Sequence, residues 1–181
     1  MTQDKVKARI LEYHEAKHEL AIDFYHFWRS EIVFTLSWWI GLSLIVVPWI
    51  IWFLVRDRQN THRYLYAGFF IMTVSSYLDF VGIQAGLWAY KIQVVPTIPA
   101  FFIWDFTLLP VFAMLLLQFK PKLNPYIKGL IYSIVAAFIA EPFFTWIDYY
   151  QPIRWKFSYS VPIQFVIFFI ANKLCSKIPF R

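Results

Sequence analysis

Five separated stretches of mainly apolar sequence constrain what this chain can fold into. They run over about 34–55, 64–84, 100–119, 126–146 and 157–174. An α-helix needs about 20 such residues to cross roughly 30 Å of hydrocarbon. The last stretch is the shortest and reaches a full span only with Phe157 and Leu174 included. The runs are continuous and lack the alternation of barrel strands, so helices are expected. Composition agrees, with 60% of the 181 residues hydrophobic and 15% charged. A soluble domain sits nearer to about half and about a quarter. An ordinary soluble enzyme, a disordered chain and a secreted disulfide scaffold are thereby excluded, and the lone Cys175 cannot form an internal disulfide.

The expected fold class is all-α, an integral membrane helical bundle of five transmembrane helices preceded by an N-terminal amphipathic helix. Residues 1–31 form the arm and 32–181 the transmembrane domain. Pro48, Pro110, Pro142 and Pro162 lie inside the spans and predict kinks. Gly82 and Gly86 have the small-xxx-small spacing that lets another helix approach closely, within the molecule or from a second copy.

Loop charges set the expected orientation. Arg56, Arg58, Arg63, Lys120, Lys122, Lys128, Lys173, Lys177 and Arg181 fall on one side, and Lys91, Arg154 and Lys156 on the other. The positive-inside tendency then puts the C-terminus in the cytoplasm and, with five spans, the N-terminus outside. The net charge of +6 is broken up by apolar blocks, so the expected partner is the lipid bilayer and not nucleic acid. A homo-oligomer or a membrane-protein partner is compatible with the sequence.

Residues 2–30 lack Gly and Pro, and Val6, Ile10, Tyr13, Leu20, Phe24, Phe27 and Trp28 recur at helical spacing. The arm is expected to meet the membrane interface at its aromatic end, and either to pack over the bundle mouth or to run on into the first span. It contains His14-Glu15-Ala16-Lys17-His18, the H-E-x-x-H pattern in which two histidines share a helix face and can bind one metal ion. Ala21 and Phe24 stand where a metzincin continuation would need Gly and a third ligand, so His14 and His18 mark at most a metal site without protease chemistry.

The strongest chemical signal is a set of acids in or beside the spans: Asp79, Asp105, Glu141 and Asp148. Intramembrane acids are costly and usually face a bundle interior or a cavity. Counting along alternating helices puts all four toward the same, less basic end. Trp88, Tyr90, Trp104, Trp146, Tyr149, Tyr150, Trp155 and Tyr159 gather there too, with Lys91, Arg154 and Lys156 as nearby cations. Thr107, Thr145, Gln84 and Gln164 offer neutral ligands. The expected ligand-binding residues are Asp79, Asp105, Glu141, Trp104, Trp88, Arg154 and Asp148, with Asp105 and Glu141 foremost. Converging carboxylates attract a hard divalent cation or share protons. The competing reading is that the acids fix helix packing. No phosphate loop, Cys/His cluster, catalytic triad or intramembrane lysine is present, and no catalytic residue is assigned.

Gly86-Leu87-Trp88-Ala89-Tyr90, Pro96-x-Ile98-Pro99, Trp104-Asp105-Phe106-Thr107-Leu108-Leu109-Pro110, Ala140-Glu141-Pro142 and Trp155-Lys156-Phe157-Ser158-Tyr159-Ser160 resemble motifs of one family. It comprises uncharacterised, small, roughly five-helix membrane proteins of spore-forming Gram-positive bacteria. The resemblance covers the first to the fifth span and implies a multi-pass protein of the bacterial inner membrane, without an activity. A fainter likeness is to membrane-embedded lycopene cyclases, which place a Trp-containing loop and a Pro-acid motif at the ends of adjacent helices. Here the third-span acid follows Trp104, and that family's paired glutamates are absent.

The expected function is binding or transport, in an acidic, aromatic pocket near the non-cytoplasmic side, of a cation, a proton-coupled solute or a lipid head group. The alternatives are a membrane-embedded enzyme acting on an isoprenoid or lipid, and a non-enzymatic accessory subunit of a membrane complex.

Overall fold

The computed structural model describes residues 2–96, 100–119 and 121–177. Ile98 and Pro99 of the loop motif, and Lys120 and Arg181 of the basic segments, lie outside them. Among the described residues the fold is all-α apart from one small two-stranded sheet. Its helices are α1 (Gln3–Glu31), α2 (Leu36–Val55), α3 (Thr61–Gln84), α4 (Leu109–Phe119), α5 (Pro125–Ile134), α6 (Glu141–Trp146) and α7 (Phe157–Lys177). Strands β1 (Trp88–Tyr90) and β2 (Tyr150–Pro152) pair antiparallel, with Ala89 opposite Gln151.

Among the described residues four helices are long and apolar enough to cross a membrane: Leu36–Val55, Thr61–Gln84, Pro125–Trp146 and Phe157–Lys177. The segment expected to span 100–119 is the short one, with an apolar helix over Trp104–Phe119. Its start is pinned at Phe101, whose N–H donates 2.8 Å to Asp79 Oδ2 and 3.2 Å to Asp105 Oδ2. The last stretch, expected to be marginal, is a full 21-residue helix. Ser160 and Gln164 depress its hydropathy, but both are buried inside the bundle and cost it nothing at the lipid face.

Two of the four prolines act by widening the helix. Trp104–Leu108 and Val135–Ala140 are π-helical, ending where Leu109 N–H bonds Trp104 O and Glu141 N–H bonds Ala136 O. Pro110 and Pro142 follow at once, and a proline can neither donate to the carbonyl four residues back nor pack against it. The Phe106 carbonyl that Pro110 leaves free takes a hydrogen bond from Trp49 Nε1 at 3.1 Å.

The glycine pair does not receive a helix. Gly82 is buried under the indole of Trp88, and Gly86 lies beyond α3 at φ +65, where it turns the chain into β1. The six-residue separation of Trp88 from Gly82 lets β1 fold back onto α3, so the spacing serves a local contact.

Apolar packing forms two clusters. One, around Trp52, Ile71, Met114, Tyr132 and Phe168, fills the end of the bundle where Arg63 Nε donates 3.1 Å to the Cys175 carbonyl. The other, around Phe101, Ile103, Phe144, Tyr149 and Tyr150, lies under the two-stranded sheet. Trp104 packs against both. Helix α1 stands apart with no buried residue. A turn with Phe34 at φ 63 separates it from α2, and Trp28 Nε1 ties its end to Gln93 O at 2.7 Å. It therefore neither continues into the first span nor packs along the bundle.

Candidate functional site

Between the two clusters lies a cavity of about 210 Å³. Asp79 and Ser75 reach it from α3, Asp105 and Trp104 from the first π segment, Glu141 and Phe144 from α6, and Ser160 and Gln164 from α7. Trp88, Tyr90, Tyr150 and Trp155 close its end from the two-stranded sheet and its flanks. Most of the wall is apolar. Among the described residues no Lys, Arg or His lines it.

The three acids that meet here differ in their partners. Asp79 is fully engaged. Its Oδ1 accepts from Trp88 Nε1 at 2.7 Å and from Tyr90 Oη at 2.6 Å, while Oδ2 accepts from Phe101 N. Burial, and then the nearby Asp79, push the Tyr90 phenol well above its ordinary value, so it stays a donor. Asp105 lies within hydrogen-bonding reach of Asp79 and of Ser75. Asp79 is thus a clasp holding β1 and the start of the Trp104 helix against α3.

Glu141 is different. One side of its carboxyl is within reach of Ser160, whose Oγ accepts from Trp155 Nε1 at 2.9 Å. Its Oε2 is buried and finds no partner among the described residues, and the same holds for Gln164 Oε1. Gln164 is 8% exposed. A buried acceptor without a donor costs about 1–3 kcal/mol, so two on one cavity wall call for a donor from outside the chain.

The other expected residues lie elsewhere. Asp148 is exposed at φ 66 and pairs with Lys91, and Arg154 is exposed. Neither lines the cavity: the chain turns outward at Asp148, and Arg154 follows the solvent side of β2. Thr107 donates to Ile45 O, Thr145 donates to Glu141 O, and Gln84 is exposed at the end of α3. His14 and His18 stand on the exposed α1. Among the described residues no group of three or more His, Cys, Asp or Glu is arranged to hold a metal ion. Ser75 and Ser160 line the cavity without having been singled out, since a lone serine in an apolar run carries no pattern. No protein-family model, curated protein or solved structure matches the chain.

Proposed function

We propose that this is a multi-pass membrane protein whose cavity binds a molecule with a hydrogen-bond-donating, positively charged head. The observation that carries the reading is the pair of unpartnered acceptors, Glu141 Oε2 and Gln164 Oε1, on one wall of the cavity. The lining supports a cation: it includes three acids and the indoles of Trp88, Trp104 and Trp155, and no base. An ammonium group over such rings gains about 0.5–2 kcal/mol, more as water is removed. Among the described residues the lining offers an anionic head no positively charged side chain.

In this reading Trp104–Phe119 is the fifth span. At about 1.5 Å per residue it is shorter than the hydrocarbon thickness, a mismatch that the bilayer absorbs by thinning. The cavity lies at the less basic end, so the positive-inside tendency assigns it to the outer side, with the C-terminus cytoplasmic and the N-terminus outside. Membership of the small inner-membrane family of spore-forming bacteria belongs to the same proposal.

Native mass spectrometry of protein purified in mild detergent tests it. Wild type should carry a bound organic cation that a Glu141→Leu/Gln164→Leu variant lacks at equal folded fraction. A wild type that stays at bare mass after equilibration with dodecylamine would sink the reading.

A further inference from the structure

The walls of the cavity also bear on how a ligand reaches it, an inference that rests on the binding reading above. The end facing out of the bundle is closed. Leu87, Trp88, Tyr90, Tyr150 and Trp155 lie past the last residue of α3 and before the first of α7, and all line the cavity. Trp88 and Tyr90 are fastened to Asp79. Tyr90 stacks on Phe101 at 4.1 Å between centroids, and Trp88 meets Trp155 edge-on at 4.9 Å. These four hydrogen-bonded or ring-to-ring aromatic contacts are not a doorway for water-soluble molecules.

The side wall is open. Leu78 and Val81 of α3 and Ile163 of α7 line the cavity and yet are 38%, 44% and 36% exposed, so they form its rim. Leu78 lies six residues before the end of α3, and Ile163 six after the start of α7. That puts both about 9 Å inside their helix ends, at the depth of acyl chains and not of head groups.

We propose that the cavity opens sideways, between α3 and α7, into the hydrocarbon of the bilayer, and that its ligand is a membrane-dissolved long-chain amine. The head seats on Glu141 and Gln164, and the first part of the chain fills the aromatic chamber. At about 210 Å³ the chamber exceeds the roughly 150 Å³ that holds a benzene ring, yet is far smaller than a full lipid chain. The remainder of the tail therefore runs out past Val81 and Ile163 among the lipids.

The test compares dodecylamine with butylamine in nanodiscs of phosphatidylcholine, reading the rise in the thermal midpoint by circular dichroism. Dodecylamine should act at least about tenfold lower in concentration, because each buried methylene adds to affinity. Val81→Trp, which fills the rim, should weaken the dodecylamine response about tenfold, as a blocked mouth strips the tail of its place. Ile163→Trp does the same from the opposite side should the first variant fold poorly. If the two amines are equally potent and neither rim variant changes the response, the sideways route is wrong while head binding stands. If neither amine shifts wild type or the Glu141→Leu/Gln164→Leu variant, the binding reading itself fails.

Discussion

The indole of Trp88 lies directly on the backbone of Gly82, so close that a Cβ at position 82 would stand 2.0 Å from the ring's Cζ2. The ring is held there by its hydrogen bond to Asp79, three residues earlier on the same helix. Glycine is thus required at position 82 for close approach, and at position 86 for backbone conformation, since Gly86 has φ +65 and open space around it. Gly82→Ala should expel Trp88 from the cavity wall, lower stability by about 1–3 kcal/mol and shift tryptophan emission. Gly86→Ala should cost about 1–2 kcal/mol of backbone strain and leave the emission unchanged. Thermal unfolding and fluorescence of the two detergent-solubilised variants separate these outcomes.

The cavity acids should respond oppositely to loss of their polar groups. Asp79→Leu strands Trp88 Nε1 and Tyr90 Oη and leaves Phe101 N–H only its longer bond to Asp105, and each stranded donor costs about 1–3 kcal/mol. Glu141→Leu removes the unpartnered Oε2 together with the one contact to Ser160, so stability should hold within about 1 kcal/mol or rise. Equal losses in the two thermal midpoints would mean that Glu141 is as structural as Asp79.

Outside the cavity, Asp148→Asn breaks only the exposed pair with Lys91, with side chains 42% and 74% exposed for Lys91 and Asp148. The expected loss is at most about 1 kcal/mol and should vanish in high salt. Asparagine also tolerates the positive φ at this position. Arg154→Ala should leave amine binding intact. A large drop in amine affinity for Arg154→Ala would bring that cation back into the site.

The turn between α2 and α3 carries a pH dependence. The Asp57 carboxyl is held below its ordinary value of 3.8, chiefly by the Asn60 side chain, with burial opposing and the Gln59 and Asn60 N–H groups adding to the effect. A depressed folded value means that the stabilisation is present above pH 3.8 and is lost as pH falls through the lower folded value. The thermal midpoint of wild type should therefore fall more steeply on acidification below pH 3.8 than that of Asp57→Asn.

The spared carbonyl of Phe106 yields a further test. Trp49→Phe keeps the ring packing but removes the donor that reaches this oxygen from α2. The expected cost is about 1–2 kcal/mol, and Pro110→Ala should partly relieve it by restoring a backbone donor. Unfolding of the two single variants and their double mutant measures the coupling.

Long apolar runs are read directly from sequence, because a helix in hydrocarbon needs little beyond length and apolar character. Counting residues along alternating helices brought Asp79, Asp105 and Glu141 to one level, and these three share the cavity. The same count could not separate Asp148 from them, because a single left-handed residue turns the chain outward there. The strands Trp-Ala-Tyr and Tyr-Gln-Pro are too short for alternation to register. Pro110 and Pro142 were legible as kinks, but whether a proline bends a helix or widens it depends on which neighbour takes up the freed carbonyl. Hydropathy undervalued the helix from Phe157 because it scores Ser160 and Gln164 as though they faced lipid.

The two-stranded sheet that roofs the cavity pairs Tyr90 with Tyr150 and Trp88 with Pro152, partners about sixty residues apart in the chain. During synthesis, β1 must therefore wait until the Trp104 helix, α5 and α6 have all been made. Until then Trp88 and Tyr90 have no strand beside them, and the chamber lacks Glu141, Gln164 and Trp155 as well as its lid. Local helices can form early, whereas so non-local a pairing comes late. The cavity is consequently among the last parts of the molecule to assemble, and a ribosome stalled before residue 150 holds helices without an enclosed chamber.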